Sequence, residues 1–204
     1  MIYLKYFGNT KLYRTRLNSE LFTPKSGSLS PYDEIVKRYA STINWDWRLI
    51  TSLIYQESGF DHYSESWTGA SGLMQLMPST AESYGIDSLS APEDNIQAGI
   101  KYLEWLDKQF IDKVPDSLER KKFILAAYNV GLGHVFDAMR LATKFELNPE
   151  FWESNVAEML KNKSIPEYYK DDVVYYGYCR GSEPFNYVKE VLERFEHYKN
   201  ITEE

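Results

Sequence analysis

Glu57 ends an apolar stripe. In a helical reading of the stretch around it, Trp47, Ile50, Leu53, Ile54 and Glu57 recur at the three-and-four spacing of one helix face. A carboxyl group held against apolar side chains tends to keep its proton, because desolvation penalises the anion, and a protonated carboxyl is a general acid. The plainer reading is a helix-end Glu that simply reaches water. Just beyond it, Ser66 to Pro78 (SWTGASGLMQLMP) combines glycines, hydroxyls, an amide and thioethers. Glycine lets backbone approach a ligand closely, and Ser66 and Gln75 offer the donors and acceptors that fix a sugar's hydroxyls and amide. Leu73, Met74, Leu76 and Met77 read equally well as core or filler.

Other chemistries find less support. His62, His134 and His197 are scattered without metal-ligand spacing, and the single Cys179 forms neither an internal disulfide nor a recognised thiol nucleophile with His134. No metal and no cofactor is expected. The glycines of Gly69 to Gly72 and Gly131 to Gly133 do not follow a strand in nucleotide-loop spacing. A formal net charge of -7 argues against nucleic acid as partner, which needs clustered Lys and Arg. Aromatic side chains are plentiful, with 17 Tyr, 10 Phe and 5 Trp, and such rings line carbohydrate grooves when they gather in a patch. Nothing approaches the ~20 apolar residues of a membrane span, and Met1 to Asn9 lacks the pattern of an export signal.

The elements that must position Glu57 follow from caps and periods. Ser30, Pro31 and Asp33 predict a helix through about Thr42, with Ile35, Val36, Tyr39 and Ala40 inward. Asn44 or Asp46 starts the Glu57 helix and Gly59 ends it. Pro78 opens a short helix stopped by Gly85. Ser90 with Glu93 caps a long one carrying Ile96, Ile100, Leu103, Leu106 and Phe110. Asp116 with Glu119 opens a helix that carries Phe123, Ile124 and Ala127 and stops at Gly131, which predicts that Tyr128 and Asn129 are exposed at its end. Helices are expected over Leu132 to Phe145, over Asn148 to Leu160 with Pro149 at the first position, and from about Pro184 to Lys199 burying Val188, Leu192, Phe195 and Tyr198. Between them, the Tyr-rich stretch from Tyr168 holds a segment, Val173 to Tyr178, that fits a strand by propensity and a loop by its glycines. Helical patterns with almost no alternating strand pattern predict a mainly α protein with little or no β-structure. Residues 1–30 read as a linker or docking tail and 31–204 as one domain.

Three segments, in order and spacing, carry a resemblance: Glu57-Ser58-Gly59-Phe60; Ser66 with Gly69 to Pro78; and Ala126-Ala127-Tyr128-Asn129-Val130-Gly131. They resemble the signature segments of the soluble lytic transglycosylases, glycoside hydrolase family 23. Tyr176 to Glu183 (YGYCRGSE) with Tyr187-Val188 extends the resemblance toward the membrane-bound F branch, over about residues 31 to 199. Leu132 departs from the Pro often found after the family's Tyr-Asn-x-Gly turn. The resemblance implies a lysozyme-like fold and a bacterial envelope location, periplasmic or outer-membrane-associated. It implies peptidoglycan glycan strands as partner and, before residue 31, the remnant of a solute-binding-like domain; an exported protein should carry a signal that this chain lacks, so the chain is expected to be a truncated or a mature fragment.

The implied reaction cleaves the β-1,4 bond between N-acetylmuramic acid and N-acetylglucosamine and closes a 1,6-anhydro ring without water. Glu57 would act as acid, then base. No second carboxylate of the kind ordinary glycosidases use is evident, since Asp61 and Glu65 lie in a polar loop. By matching position, Ser66, Gln75, Met77, Tyr128 and Glu183 would contact or orient glycan, while Asn129 and Tyr187 fall in motif positions that are substrate-binding or architectural. Glu183, at the start of a helix, also fits a cap. A hydrolytic muramidase and a non-catalytic peptidoglycan-binding module are the alternatives.

Overall fold

The structure is a computed structural model and describes residues 28–87 and 91–202. The expected linker therefore lies almost wholly outside the described residues, as does the Ser90 cap. Among the described residues the chain is helical, with no strand and only two isolated antiparallel bridges, Glu65 with Ser71 and Ser71 with Leu76. No described helix is long and apolar enough to cross a membrane. The chain forms two compact units, one of residues up to 102 plus 190 onward, the other of residues 103–189.

In the first unit, α1 (Asp33–Ala40) leads through a 3-10 turn (Ser41–Ile43) into α2 (Trp47–Ser58). The predicted start is corrected: the N-cap is Tyr32, without a side-chain cap bond, and Ser30 and Asp33 instead brace the turn before the helix. Ser30 Oγ accepts the Tyr32 N–H and Asp33 Oδ2 accepts the Leu29 N–H at 2.7 Å, while Tyr32 sits at φ −107, ψ 3, outside helical geometry. Asp46, not Asn44, caps α2 by accepting the Arg48 N–H. Asn44 instead takes a left-handed conformation that ends the 3-10 turn. Polar residues survive inside α2 because Thr51, Ser52 and Ser58 each turn a hydroxyl back to the carbonyl four residues earlier. After α3 (Pro78–Ser83), α4 (Pro92–Phe110) contributes its residues up to Tyr102 to this unit. The end of the last helix closes it, with Glu190 accepting from Gln56 Nε2 at 2.7 Å and the Arg194 guanidinium 3.8 Å over the Tyr55 ring.

The second unit holds the rest of α4, then α5 (Ser117–Val130), α6 (Leu132–Lys144), α7 (Ala157–Asn162), the short α8 (Pro166–Tyr169) and the start of α9 (Ser182–Ile201). Its core is aromatic, with Phe123 meeting Phe110 at 5.8 Å and Trp152 at 5.5 Å. The expected helix over Asn148 to Leu160 is corrected. Asn148 Oδ1 accepts the Glu150 N–H in a local turn, and Glu153 and Ser154 adopt non-helical angles, Ser154 at φ 57. Regular helix starts only at Ala157. The reason lies in Glu119, which reaches away from its own helix cap to accept the Trp152 N–H at 2.9 Å and so fixes the chain before it can wind. No strand forms over Val173 to Tyr178. In α9 Val188, Val191 and Tyr198 are buried, whereas Leu192 and Phe195 are only half-buried, a rotation of the inward face from the one the sequence suggests.

Candidate active site

Glu57 is 3% exposed, at the C-terminal end of α2, with Ile50, Leu53 and Ile54 fully buried along the same stripe. The last turn of α2 carries no basic residue, so Glu57 shares the negative end of the helix dipole with the terminal carbonyls. Gly59 at φ 63 and Phe60 at φ 68 reverse the chain there in two successive left-handed residues. The reversal leads through the short polar turn of Asp61 to Glu65 into the Gly-rich loop.

That loop is built from inside. The Ser66 N–H donates to Ala70 O at 2.8 Å, and Ser71 and Leu76 exchange both backbone hydrogen bonds, at 3.0 and 3.1 Å. Gln75 is held at φ 46 with its side chain buried, and its Nε2 donates to Ser64 O and Gly72 O at 2.8 and 2.9 Å. Its amide nitrogen is thus committed to the loop itself. Ser66 is half-buried, its Oγ accepting the Ala70 N–H at 2.9 Å and pairing with Thr68 Oγ1 at 2.9 Å. Met77, by contrast, is 40% exposed, next to Pro78 at the first position of α3.

One positioning residue escaped the sequence reading. Asn95, on the inward face of α4 beside Ile96, is 6% exposed; its Oδ1 accepts the Met74 N–H at 2.8 Å and its Nδ2 donates to Ser71 O at 3.2 Å. Its side chain fills the space where a Cβ on Gly72 would stand, and Gly72 is at φ 78, so only glycine fits there on both counts. An Asn on an apolar helix face was the available signal, since a buried amide needs partners.

In the second unit, Tyr128 and Asn129 end α5 as predicted, but they are buried, at 7% and 5% exposure. The expectation that helix termination exposes them is wrong because α6 begins at Leu132, directly after Gly131 at φ 96, and packs back on α5. Asn129 Oδ1 accepts no hydrogen bond among the described residues. Glu183 lies in the first turn of α9, 8% exposed; among the described residues Oε1 accepts no hydrogen bond, with the Arg180 guanidinium 3.4 Å away. Burial raises its carboxyl above the ordinary range against the pull of Arg180. Tyr187, one turn on, is 3% exposed.

A buried ion pair also went unread. Lys163 and Asp137 are both 0% exposed and meet at 2.5 Å; Asp137 accepts further from Arg140 and from the Tyr175 and Tyr176 N–H groups, both at 2.9 Å. Burial alone would raise Asp137, but the Lys163 ammonium and the two backbone donors hold it below the ordinary carboxylate value. His134 Nδ1 lies 2.9 Å from Lys163 Nζ, which makes it the acceptor of a neutral ring. Burial, then the Lys163 charge, push His134 down to about 4. Nearby, Cys179 is buried and its thiol is pushed up to about 11 by that burial, which leaves it without nucleophilic character.

His134 gives a pH prediction. A histidine whose folded value is depressed binds fewer protons folded than unfolded, so its contribution is complete above about 6.5 and is lost as pH falls toward about 4. Glu183, raised, acts in the opposite sense above its ordinary value of 4.5. The His134 share is therefore read by difference. Between pH 7 and pH 4.5 the parent should lose on the order of 2 kcal/mol more than His134→Asn, whose amide oxygen replaces the acceptor, after allowance for partial solvent screening. Equal losses in chemical unfolding would show that His134 does not titrate in this window.

Against known proteins, the transglycosylase SLT domain family matches residues 34–150. The chain belongs to that family. It is 36% identical over 94% of its length to the membrane-bound lytic murein transglycosylase F of Aeromonas hydrophila, of which it covers 38%. It is 39% identical over 82% of its length to the protein of the same name from Desulfosudis oleivorans, covering 36% of that chain. The chain thus spans less than two fifths of the length of these curated relatives. Among solved structures, the 70 kDa soluble lytic transglycosylase of Escherichia coli aligns with a TM-score of 0.53 and 26% identity, over 83% of this chain and 24% of that one. The family fold is mainly α and lysozyme-like, as the resemblance implied. Among the described residues no group of His, Cys, Asp and Glu is arranged to hold a metal ion.

Proposed function

We propose that this chain is a peptidoglycan lytic transglycosylase domain with Glu57 as its acid and base. The observation that carries the reading is the burial of Glu57 at the end of an apolar stripe, immediately before the Gly-rich loop, in a member of the SLT family. A binding module has no use for a carboxyl group in such a place, because burying it costs desolvation and returns no packing.

The chemistry balances on one carboxyl group. Glu57 gives its proton to the glycosidic oxygen between N-acetylmuramic acid and N-acetylglucosamine as the bond to the muramic C1 breaks. The substrate's own acetamido oxygen bonds to C1, so no protein nucleophile is required. The Glu57 carboxylate then takes the C6 hydroxyl proton, O6 closes on C1, and the acetamido bond breaks. The product is a 1,6-anhydro end; no water is consumed and Glu57 regains its proton.

Other residues divide into wall and frame. Met77 is exposed enough to touch glycan, whereas Gln75 and Ser66 hold the loop that would receive it. Glu183 and Asn129 each keep a buried oxygen without a hydrogen-bond donor among the described residues. Such an atom costs about 1–3 kcal/mol unless a donor is supplied, which suits a place where substrate amides or hydroxyls arrive. Tyr187 is architectural or substrate-binding through its hydroxyl. Like the curated relatives in name, the domain would work in the bacterial envelope, joined to a solute-binding-like domain in the longer protein. Loss of turbidity from purified sacculi is the test, and intact sacculi after incubation would refute the reading.

Tyr128 separates a catalytic from a packing role. On the family resemblance alone, its hydroxyl would bond the acetamido group of a bound sugar, a hydrogen bond that strengthens as that oxygen attacks. Tyr128→Phe should then lower turnover about tenfold or more, with a smaller change in apparent substrate binding. An unchanged turnover with a stability loss of about 1 kcal/mol would instead make it a core tyrosine.

A further inference from the structure

The segment from Val173 to Gly181 has no regular secondary structure, yet it is held at several points. Arg140 Nε donates to Val173 O at 2.7 Å, Asp137 takes the Tyr175 and Tyr176 N–H groups, and the Cys179 N–H donates to Lys163 O at 3.4 Å. Gly181 lies so close to the Leu160 carbonyl that no Cβ could stand there. A fully buried Lys-Asp pair is a costly anchor, because desolvating two ions offsets much of their attraction. What this anchor holds in place is a set of exposed rings, with Tyr175 at 74%, Tyr176 at 61% and Tyr178 at 55% exposure.

Each ring is seated. Tyr175 lies under the Arg140 guanidinium, 4.2 Å from the ring centre, and Tyr178 meets the Tyr169 ring edge-on at 5.6 Å. The Tyr176 ring rests on Gly133, where a Cβ would run into its edge, and stands edge-on to His134 at 6.1 Å. A phenol fixed in place while mostly open to solvent has already lost the rotamer freedom that a ligand would otherwise have to freeze. It offers a flat apolar face and a hydroxyl together, which fits the C–H face and equatorial hydroxyls of a pyranose better than an aliphatic protein surface.

We propose that Tyr176 is a glycan-stacking residue, and that the Gly133 seat and the Asp137 anchor exist to present its ring to a β-1,4-linked N-acetylated sugar strand. The proposal rests on the functional reading above and adds a contact surface made wholly by the second unit. Gly133 itself follows from it. Any side chain there displaces the ring, although alanine would suit a helix better than glycine does.

The test uses chitohexaose, a soluble β-1,4 N-acetylglucosamine oligomer, binding to the chain that carries Glu57→Gln so that no cleavage intervenes. Calorimetry compares that chain with versions also carrying Tyr176→Ser, Gly133→Ala or, as a control aromatic, Phe151→Ser, exposed at 51%. Tyr176→Ser and Gly133→Ala should each weaken Kd roughly three- to tenfold, the equivalent of one aromatic contact, with unchanged thermal midpoints, while Phe151→Ser leaves Kd alone. Equal Kd for all four chains overturns the proposal, as does the absence of any binding. Failure of the wild-type chain to digest sacculi would overturn the catalytic reading separately; a Tyr176-dependent Kd in that case would still establish the stacking site.

Discussion

Glu57→Gln should leave folding and glycan binding close to those of the parent while slowing glycan cleavage about a thousandfold or more. The amide keeps the shape of the carboxyl group and its place against Ile50, Leu53 and Ile54, so the packing of α2 is not disturbed. What it removes is a transferable proton, and one positioned general acid commonly supplies two to four orders of magnitude. Here the same group would act twice, first on the glycosidic oxygen and then on the C6 hydroxyl, which places the expected loss toward the upper end. The split between kinetic parameters carries the argument: kcat falls while KM holds, because the lost interaction belongs to the transition state. A Gln variant that digests sacculi at the parent rate removes Glu57 from the chemistry.

Lys163→Met should be the most damaging single change to stability outside the apolar core. It leaves Asp137 fully buried with Arg140 and two backbone donors but without its ammonium partner. Breaking a buried pair on one side costs about 3–5 kcal/mol, against at most about 1 kcal/mol for an exposed pair such as Lys199 with Glu196. For a domain of this size each 1 kcal/mol moves the melting temperature by roughly 2–4 °C, so a fall of about 10 °C is expected. Lys199→Met, measured beside it, should move by no more than roughly 2–4 °C. Equal small shifts for both would mean that the Lys163 ammonium contributes little to the folded state.

The contrast between these two sites shows what sequence could and could not tell. Glu57 was legible because helical period alone put it on the stripe of Trp47, Ile50, Leu53 and Ile54, and because Asn44 or Asp46 at one end and Gly59 at the other bounded its helix. Local rules act over a few residues, and the caps at Asp116 and Gly131 were readable for the same reason. The interruption at Glu153 and Ser154 was not, since it depends on Glu119 bonding the Trp152 N–H from a distant helix. Propensity and Pro149 favoured a continuous helix, and a tertiary hydrogen bond overrode them.

The same limit applies to burial. Tyr128 and Asn129 were correctly placed at a helix end but wrongly expected in solvent, because nothing local shows that α6 packs back on α5 from Leu132 onward. No local pattern singles out Lys163 or Asp137, and only their meeting makes them an anchor. Gln75 looked like a ligand-facing amide, but the structure spends its nitrogen on Ser64 and Gly72. In each case the residue type was visible and the partner was not.

The central claim is that Glu57 drives cleavage with the muramic C6 hydroxyl, not water, as the final nucleophile. Mass spectrometry of the muropeptides released from sacculi in water enriched in heavy oxygen tests it directly. The products should be lighter than reducing-end fragments by one water and should carry no heavy oxygen. Fragments with a reducing end, labelled at C1, would show that water completes the reaction and that the enzyme is a hydrolytic muramidase.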